Sequence, residues 1–148
     1  LKRKNVIIKN KKNIGNYIYI VLSVFLIVLI CTSSGLFKYR TFVIATGSMT
    51  PNINKGDMVI IENITEEEKK KLSVGDIIAF KMDNKTVVHR IINKINTSSG
   101  VFYSTKGDNN NSPDGYLLDI DNIVGLEKFR IRYIGYPTIA IYDRIKGD

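Results

Sequence analysis

The whole chain holds one cysteine and one histidine, and its 14 acidic residues are outnumbered by 22 basic ones. The lone Cys31 cannot close an intramolecular disulfide, and it has no Cys/His cluster to join in binding a metal. It lies inside a long apolar run, so its expected role is packing against lipid or a neighbouring chain. The net charge of +8 would suit a nucleic-acid binder, but Lys2, Arg3, Lys4, Lys9, Lys11 and Lys12 crowd ahead of that run and account for most of the excess. No basic helix with interleaved aromatics follows, which argues against DNA or RNA as a partner. Internal repeats and low-complexity linkers are also missing. The 148 residues therefore read as one domain with an anchor.

Residues 14–37 carry no charge and are dense in Ile, Val, Leu, Tyr and Phe. As a helix such a stretch extends about 36 Å, against about 30 Å of hydrocarbon in a bilayer. Only Lys38 and Arg40 follow it closely, so the positive-inside rule keeps the N-terminus cytoplasmic and sends the rest outside. The expected organisation is a basic cytoplasmic segment at 1–13, a transmembrane anchor at 14–37 and an extracytoplasmic domain at 38–148, all at the cell membrane. Lysines, an apolar core and Thr32-Ser33-Ser34-Gly35 also fit a cleaved secretory leader. The return of apolar character at Leu36-Phe37 favours an uncleaved anchor.

Beyond the anchor the periodicity is that of strands. Residues 39–45 are β-branched and aromatic, and 57–61 form a second apolar run. Thr65-Glu66-Glu67-Glu68 is a capping box for a short charged helix, with acids first and Lys69-Lys70-Lys71 last to suit the helix dipole. Strands are expected at 75–80, 86–92, 101–105 and, as one or two, at 123–133. Asp83-Asn84-Lys85 marks a turn, and 93–100 and 109–115 read as polar loops. Short strands about every ten residues with little helix indicate a mainly β domain.

Between the first two strands lies Thr46-Gly47-Ser48-Met49-Thr50-Pro51. Gly47 permits a sharp bend and Pro51 fixes the exit, which holds Ser48 on a stiff corner. Serine in a turn is common; what matters is whether a base reaches it, because an alcohol is a poor nucleophile at its own pKa. His89 is the one imidazole, and strand alternation sends it to the face opposite Val88 and Arg90. If that face looks toward Ser48, its neutral ring can accept the hydroxyl proton near neutrality. A third group should orient the ring. Asp108 and Asp114 are the candidates, both in a loop where Asp equally serves as a turn former, and spacing alone does not choose between them.

Gly47-Ser48-Met49-x-Pro51, Gly56-Asp57-Met58-Val59, His89-Arg90-Ile91 and Lys106-Gly107-Asp108-Asn109-Asn110 occur in the order of the boxes of type I signal peptidases. The chain resembles the histidine-bearing branch of that family, peptidase family S26, the ER and archaeal type also found in some spore-forming Gram-positive bacteria. The common bacterial branch has a lysine where His89 stands here. The resemblance runs from the anchor to about Tyr136. It implies a coiled β-sheet catalytic domain, like that of signal peptidases and SOS-repressor proteases, behind an N-terminal transmembrane helix. It implies Ser48 as nucleophile, His89 as general base, Asp114 as the acid of the triad and Asp108 as a second required aspartate. Thr46 stands where the family often has a serine of the oxyanion hole, with the Ser48 backbone N–H as the second donor. Met49, Ile44 and Ala45 are the expected walls of pockets for the small residues at −1 and −3 of a signal peptide.

No metal or organic cofactor is implied. The implied partners are signal-peptide-bearing preproteins, membrane lipid, and secretion machinery or accessory subunits. Many relatives carry a second transmembrane helix after the stretch matching 133–136; here residues 138–142 are too short to span, which leaves a single-pass chain or a truncated one as the expectations. Two other readings compete. A self-cleaving SOS-repressor-type peptidase shares the serine turn but uses a lysine base and a DNA-binding module. A non-catalytic anchored β-domain that binds peptides or export machinery would have Ser48 and His89 far apart.

Overall fold

The structure, a computed structural model, describes residues 2–33 and 38–146, with side chains for 14–30 and 38–145. The chain divides into two compact units, Leu1–Phe37 and Lys38–Asp148. In the first unit a single helix, α1, runs Lys2–Ser33. Most of its described apolar side chains are exposed, Tyr17, Val21, Phe25 and Val28 among them. Among the described residues no helix is long and apolar enough to cross a membrane. The anchor expected over 14–37 extends past them: the side chains of 31–37, including Cys31, lie outside the described residues.

The second unit is built on one seven-stranded sheet in the order β1-β2-β7-β3-β4-β5-β6. The strands are β1 Tyr39–Val43, β2 Met58–Glu62, β3 Ile77–Met82, β4 Lys85–Thr97, β5 Gly100–Lys106, β6 Leu118–Asp119 and β7 Ile123–Ile131. Every pairing is antiparallel. The last strand, β7, enters between β2 and β3 and so joins the N-terminal pair to the central hairpin. Asp83 and Asn84, with φ of 46° and 63°, form the two-residue turn from β3 to β4. Both centres are left-handed, the geometry that matches strand twist and that Asn and Asp tolerate.

Strand β3 is buried on both faces. Ala79 joins Ile44, Met49, Ile53, Val59, Ile61 and Val88 in one apolar cluster. Ile78 and Phe80 join Leu72, Ile91, Tyr103, Leu118 and Ile123 in the other. A near-continuous apolar run is what such a strand requires. Three members of the first cluster, Ile44, Met49 and Ile53, come from the serine turn and its approach. Burying a side chain of this size stabilises by about 1.5–3 kcal/mol, so the turn carries its own ballast against the sheet.

Several elements differ from expectation. The stretch 93–100 is not a loop: β4 continues to Thr97 and pairs with β5 through Lys94↔Tyr103 and Ile95↔Phe102. Its polar residues belong to the arms of a hairpin that leaves the core. Lys94 shows why they are there, since its Nζ donates to the carbonyls of Lys70 and Leu72 at 2.6 and 3.1 Å and lies over the Tyr103 ring. The first strand ends at Val43 rather than Ala45, because Ile44 turns inward to exchange backbone hydrogen bonds with the 56–57 segment. An unexpected helix, α3, spans Tyr136–Lys146, with Pro137 in its first turn, where a missing N–H is harmless. Ile139 is its one buried apolar residue. The short helix α2, Glu66–Lys70, carries the capping box on Thr65.

Candidate active site

Ser48 sits in the turn between β1 and β2, where Thr50 N–H closes on the Gly47 carbonyl and Ile53 N–H on that of Met49. Met49 and Ile53 are completely buried beneath it, so the chain cannot slide, and Ser48 stays half-exposed above them. His89 comes from the middle of β4, opposite Ile78 of β3. Its ring is buried, at 7% exposure, with the Phe80 ring in a T-shaped arrangement beside it at a centroid distance of 6.2 Å. The imidazole Nε2 lies 3.2 Å from Ser48 Oγ and its Nδ1 2.8 Å from Asp114 Oδ2. Ser48, His89 and Asp114 thus form one connected chain of hydrogen bonds, drawn from residues 41 and 25 apart in sequence.

The two candidate aspartates part company. Adjacent residues of a strand point to opposite faces, and His89 meets Asp114 while its neighbour Arg90 meets Asp108. The Arg90 guanidinium grips the Asp108 carboxylate with both prongs, Nε to Oδ1 at 2.8 Å and Nη2 to Oδ2 at 2.7 Å, and its Nη1 donates to the Gly75 carbonyl. Asn52, just after the serine turn, donates to Asp108 Oδ2 at 2.7 Å. The paired guanidinium holds the Asp108 carboxyl below the usual carboxylate range, with burial opposing and the Asn52 bond assisting. Arg90 is raised in return by the same pair. Asp108 therefore ties the base strand to the serine turn and does not touch the imidazole.

A third tie reaches the serine directly. Asn109 N–H donates to the Ser48 carbonyl at 2.8 Å, and its side-chain amide to that of Gly47 at 3.3 Å. The approach is so close that a Cβ on Gly107 would stand 2.6 Å from the Ser48 carbonyl oxygen. Only glycine fits there.

Thr46 Oγ1 lies 3.3 Å from Ser48 Oγ, so its hydroxyl is next to the position where charge develops during attack on a carbonyl. An apolar cleft of about 530 Å³ opens from Ser48 and His89 along Phe42, Ile44, Ala45 and Val88, and ends on Met49. Ala45 is exposed in its wall, while Ile44 and Met49 are buried. On the far side of His89 a second, more polar cleft of about 620 Å³ is framed by Met82 and the 109–116 loop.

Three residues of the site do not stand out in the sequence: Asn52, Thr105 and Tyr116. Thr105 Oγ1 donates to Asp114 Oδ2 at 2.6 Å and is completely buried. A polar side chain in phase with Tyr103 on the inward face of β5 is the signal that would have found it.

A buried imidazole between a serine hydroxyl and a carboxylate, on an antiparallel β domain, defines the class of serine hydrolases that use a histidine base. The family described as signal peptidase, peptidase S26 matches residues 16–95, a stretch that contains both Ser48 and His89. The chain is 32% identical over 135 residues to signal peptidase I W of Bacillus subtilis, covering 84% of this chain and 67% of that one. It is 33% identical over 113 residues to the signal peptidase complex catalytic subunit SEC11 of Candida dubliniensis (70% and 66% covered). The SEC11 subunit of Lodderomyces elongisporus is 34% identical over 109 residues (67% and 63%). The chain belongs to the S26 family of signal peptidases. It spans about two thirds of the length of these curated relatives.

Proposed function

We propose that this chain is a membrane-bound serine endopeptidase that removes N-terminal signal peptides from exported preproteins. The observation that carries the reading is the hydrogen-bonded run from Ser48 through His89 to Asp114. Neutral His89 takes the Ser48 proton at Nε2 as Oγ attacks the scissile carbonyl, while Asp114 receives the Nδ1 proton bond and steadies the imidazolium. The new Oγ–C bond forms, the C–N bond breaks, and the proton on Nε2 passes to the departing amine. Water then enters, gives a proton to Nε2 and hydrolyses the acyl ester, and Ser48 recovers its hydrogen. The Thr46 hydroxyl and the Ser48 N–H are the donors to the oxyanion.

The apolar cleft takes the residues before the scissile bond, with Ala45, Ile44 and Met49 limiting −1 and −3 to small side chains. Residues 14–37 anchor the protein with its basic N-terminus in the cytoplasm and the β domain outside. There it works beside lipid and the secretion machinery. Accessory subunits are partners by analogy, since the SEC11 relatives are named as catalytic subunits of a complex. The 3.2 Å separation of Ser48 and His89 supports this over a non-catalytic peptide-binding domain.

Incubating the detergent-solubilised chain with a preprotein tests the reading. Cleavage after the small −1 residue by wild type and none by Ser48→Ala is expected; equal turnover by Ser48→Ala would overturn it.

A further inference from the structure

Asp114 is carried by a loop, whereas Ser48 and His89 rest on buried turn and strand. A loop carboxylate bonded to the imidazole alone would be free to swing about its side-chain torsions, and the ring would turn with it. Two hydrogen bonds prevent that swing, and both come from Thr105. Its backbone carbonyl accepts from the Asp114 N–H at 2.8 Å, and its hydroxyl donates to Asp114 Oδ2 at 2.6 Å. Oδ2 is the same oxygen that meets His89 Nδ1. Thr105 is completely buried at the end of β5, so the loop carboxylate is fixed to a point on the sheet.

A threonine hydroxyl has one proton, and the Asp114 carboxylate, which only accepts, takes it. The Phe80 ring makes T-shaped contacts with both Tyr116 and His89, at centroid distances of 6.3 and 6.2 Å. The charged neighbours are few: Asp114 faces the imidazole, the Asp108–Arg90 pair lies toward the other face of β4, and Asp83 acts on Tyr116 from the β3–β4 turn.

We propose that Thr105 is a positioning residue for the reaction: its hydroxyl locks the Asp114 carboxylate so that Oδ2 holds the His89 imidazole in line with Ser48. This rests on the serine–histidine reading above. Thr105 touches no substrate atom; it acts through Asp114.

The test uses the full detergent-solubilised chain with Thr105→Val, Thr105→Ala and Thr105→Ser. A hydrogen bond to a charged group is at stake, so Thr105→Val should lower kcat for preprotein cleavage about 10- to 100-fold while leaving KM within about twofold. Thr105→Ser, which keeps the hydroxyl, should stay within about threefold of wild type, and Thr105→Ala, which lacks it, should fall with Thr105→Val. In an Asp114→Asn background Thr105→Val should cost little more, because the group it acts on has changed.

A second readout is independent of turnover. The chain has a single histidine, so its imidazole N–H proton is identifiable by NMR after nitrogen-15 labelling. Wild type and Thr105→Ser should show an exchange-protected Nδ1 proton that Thr105→Val loses. Wild-type kcat in Thr105→Val with the proton retained would overturn the proposal, as would an equal loss in Thr105→Ser or an undiminished loss in the Asp114→Asn background. A chain that cleaves no preprotein would instead count against the peptidase reading, and the NMR comparison would still decide the role of Thr105. If Thr105→Val does not fold, Thr105→Ala and Thr105→Ser decide it by the same two readouts.

Discussion

Replacing Asp108 with Asn removes one partner of the Arg90 fork and tests whether the tie between the base strand and the serine turn stabilises the domain. The pair makes two charge-assisted bonds of 2.8 and 2.7 Å, with side-chain exposures of 29% for Arg90 and 14% for Asp108. Breaking a fully buried pair costs about 3–5 kcal/mol, whereas an exposed pair contributes about 0–1 kcal/mol. The exposures put this one between the two limits, so Asp108→Asn should cost about 2–3 kcal/mol. For a domain of this size that is a fall in Tm of roughly 6–12 °C at neutral pH.

The pH dependence has a definite sign. Arg90 remains charged throughout, and the folded Asp108 carboxyl lies below its ordinary value of 3.8. The contribution is fully present above the unfolded pKa of about 3.9 and is lost as pH falls through the lower folded value. Thermal melts followed by circular dichroism from pH 7 to pH 3 should therefore show the gap between wild type and Asp108→Asn constant down to about pH 4 and narrowing below it. A variant melting within about 2 °C of wild type at pH 7 would refute the energetic reasoning. A gap that stays open as the carboxyl protonates would refute its electrostatic origin.

Other perturbations probe separate parts of the molecule. Gly107→Ala drives a Cβ to 2.6 Å from the Ser48 carbonyl oxygen; because that atom is backbone, the serine turn must yield, and preprotein cleavage should fall at least about tenfold. Ala45→Phe fills the exposed wall of the apolar cleft and should raise KM for a preprotein about tenfold with a smaller change in kcat, read from steady-state kinetics. Thr65→Ala removes the cap of α2, where the hydroxyl accepts from Glu68 N–H at 3.3 Å and Glu68 returns a bond of 2.8 Å to Thr65 N–H; it should lower stability by about 1 kcal/mol and leave cleavage unchanged.

Residues whose role is set by local chemistry are legible in the sequence itself. Ser48 between Gly47 and Pro51, the single imidazole in a β-branched run and the cap at Thr65 each declare themselves within a few positions. The choice between Asp108 and Asp114 is not legible there, because it depends on the path of a loop and on which face of β4 each carboxylate meets. Spacing carries neither. The polar arms of the β4–β5 hairpin read as a loop for a related reason: Asn93 and Lys94 satisfy themselves against solvent and the neighbouring 70–72 segment, not against a core. Helix α3 offers only Ile139 to the core, which leaves too weak a periodic signal to see. Thr105 is hidden by its type, since threonine is an ordinary strand former and only its inward phase marks it as unusual.

The most direct test of the central claim is the rate of preprotein cleavage by wild type against His89→Ala in the same detergent preparation. If His89 activates Ser48, removing the imidazole should lower kcat by about 10⁴-fold or more, with both proteins melting at similar temperatures. Cleavage by His89→Ala at a rate near wild type would contradict the account, because the hydrogen-bonded chain from Ser48 to Asp114 would then carry no chemistry.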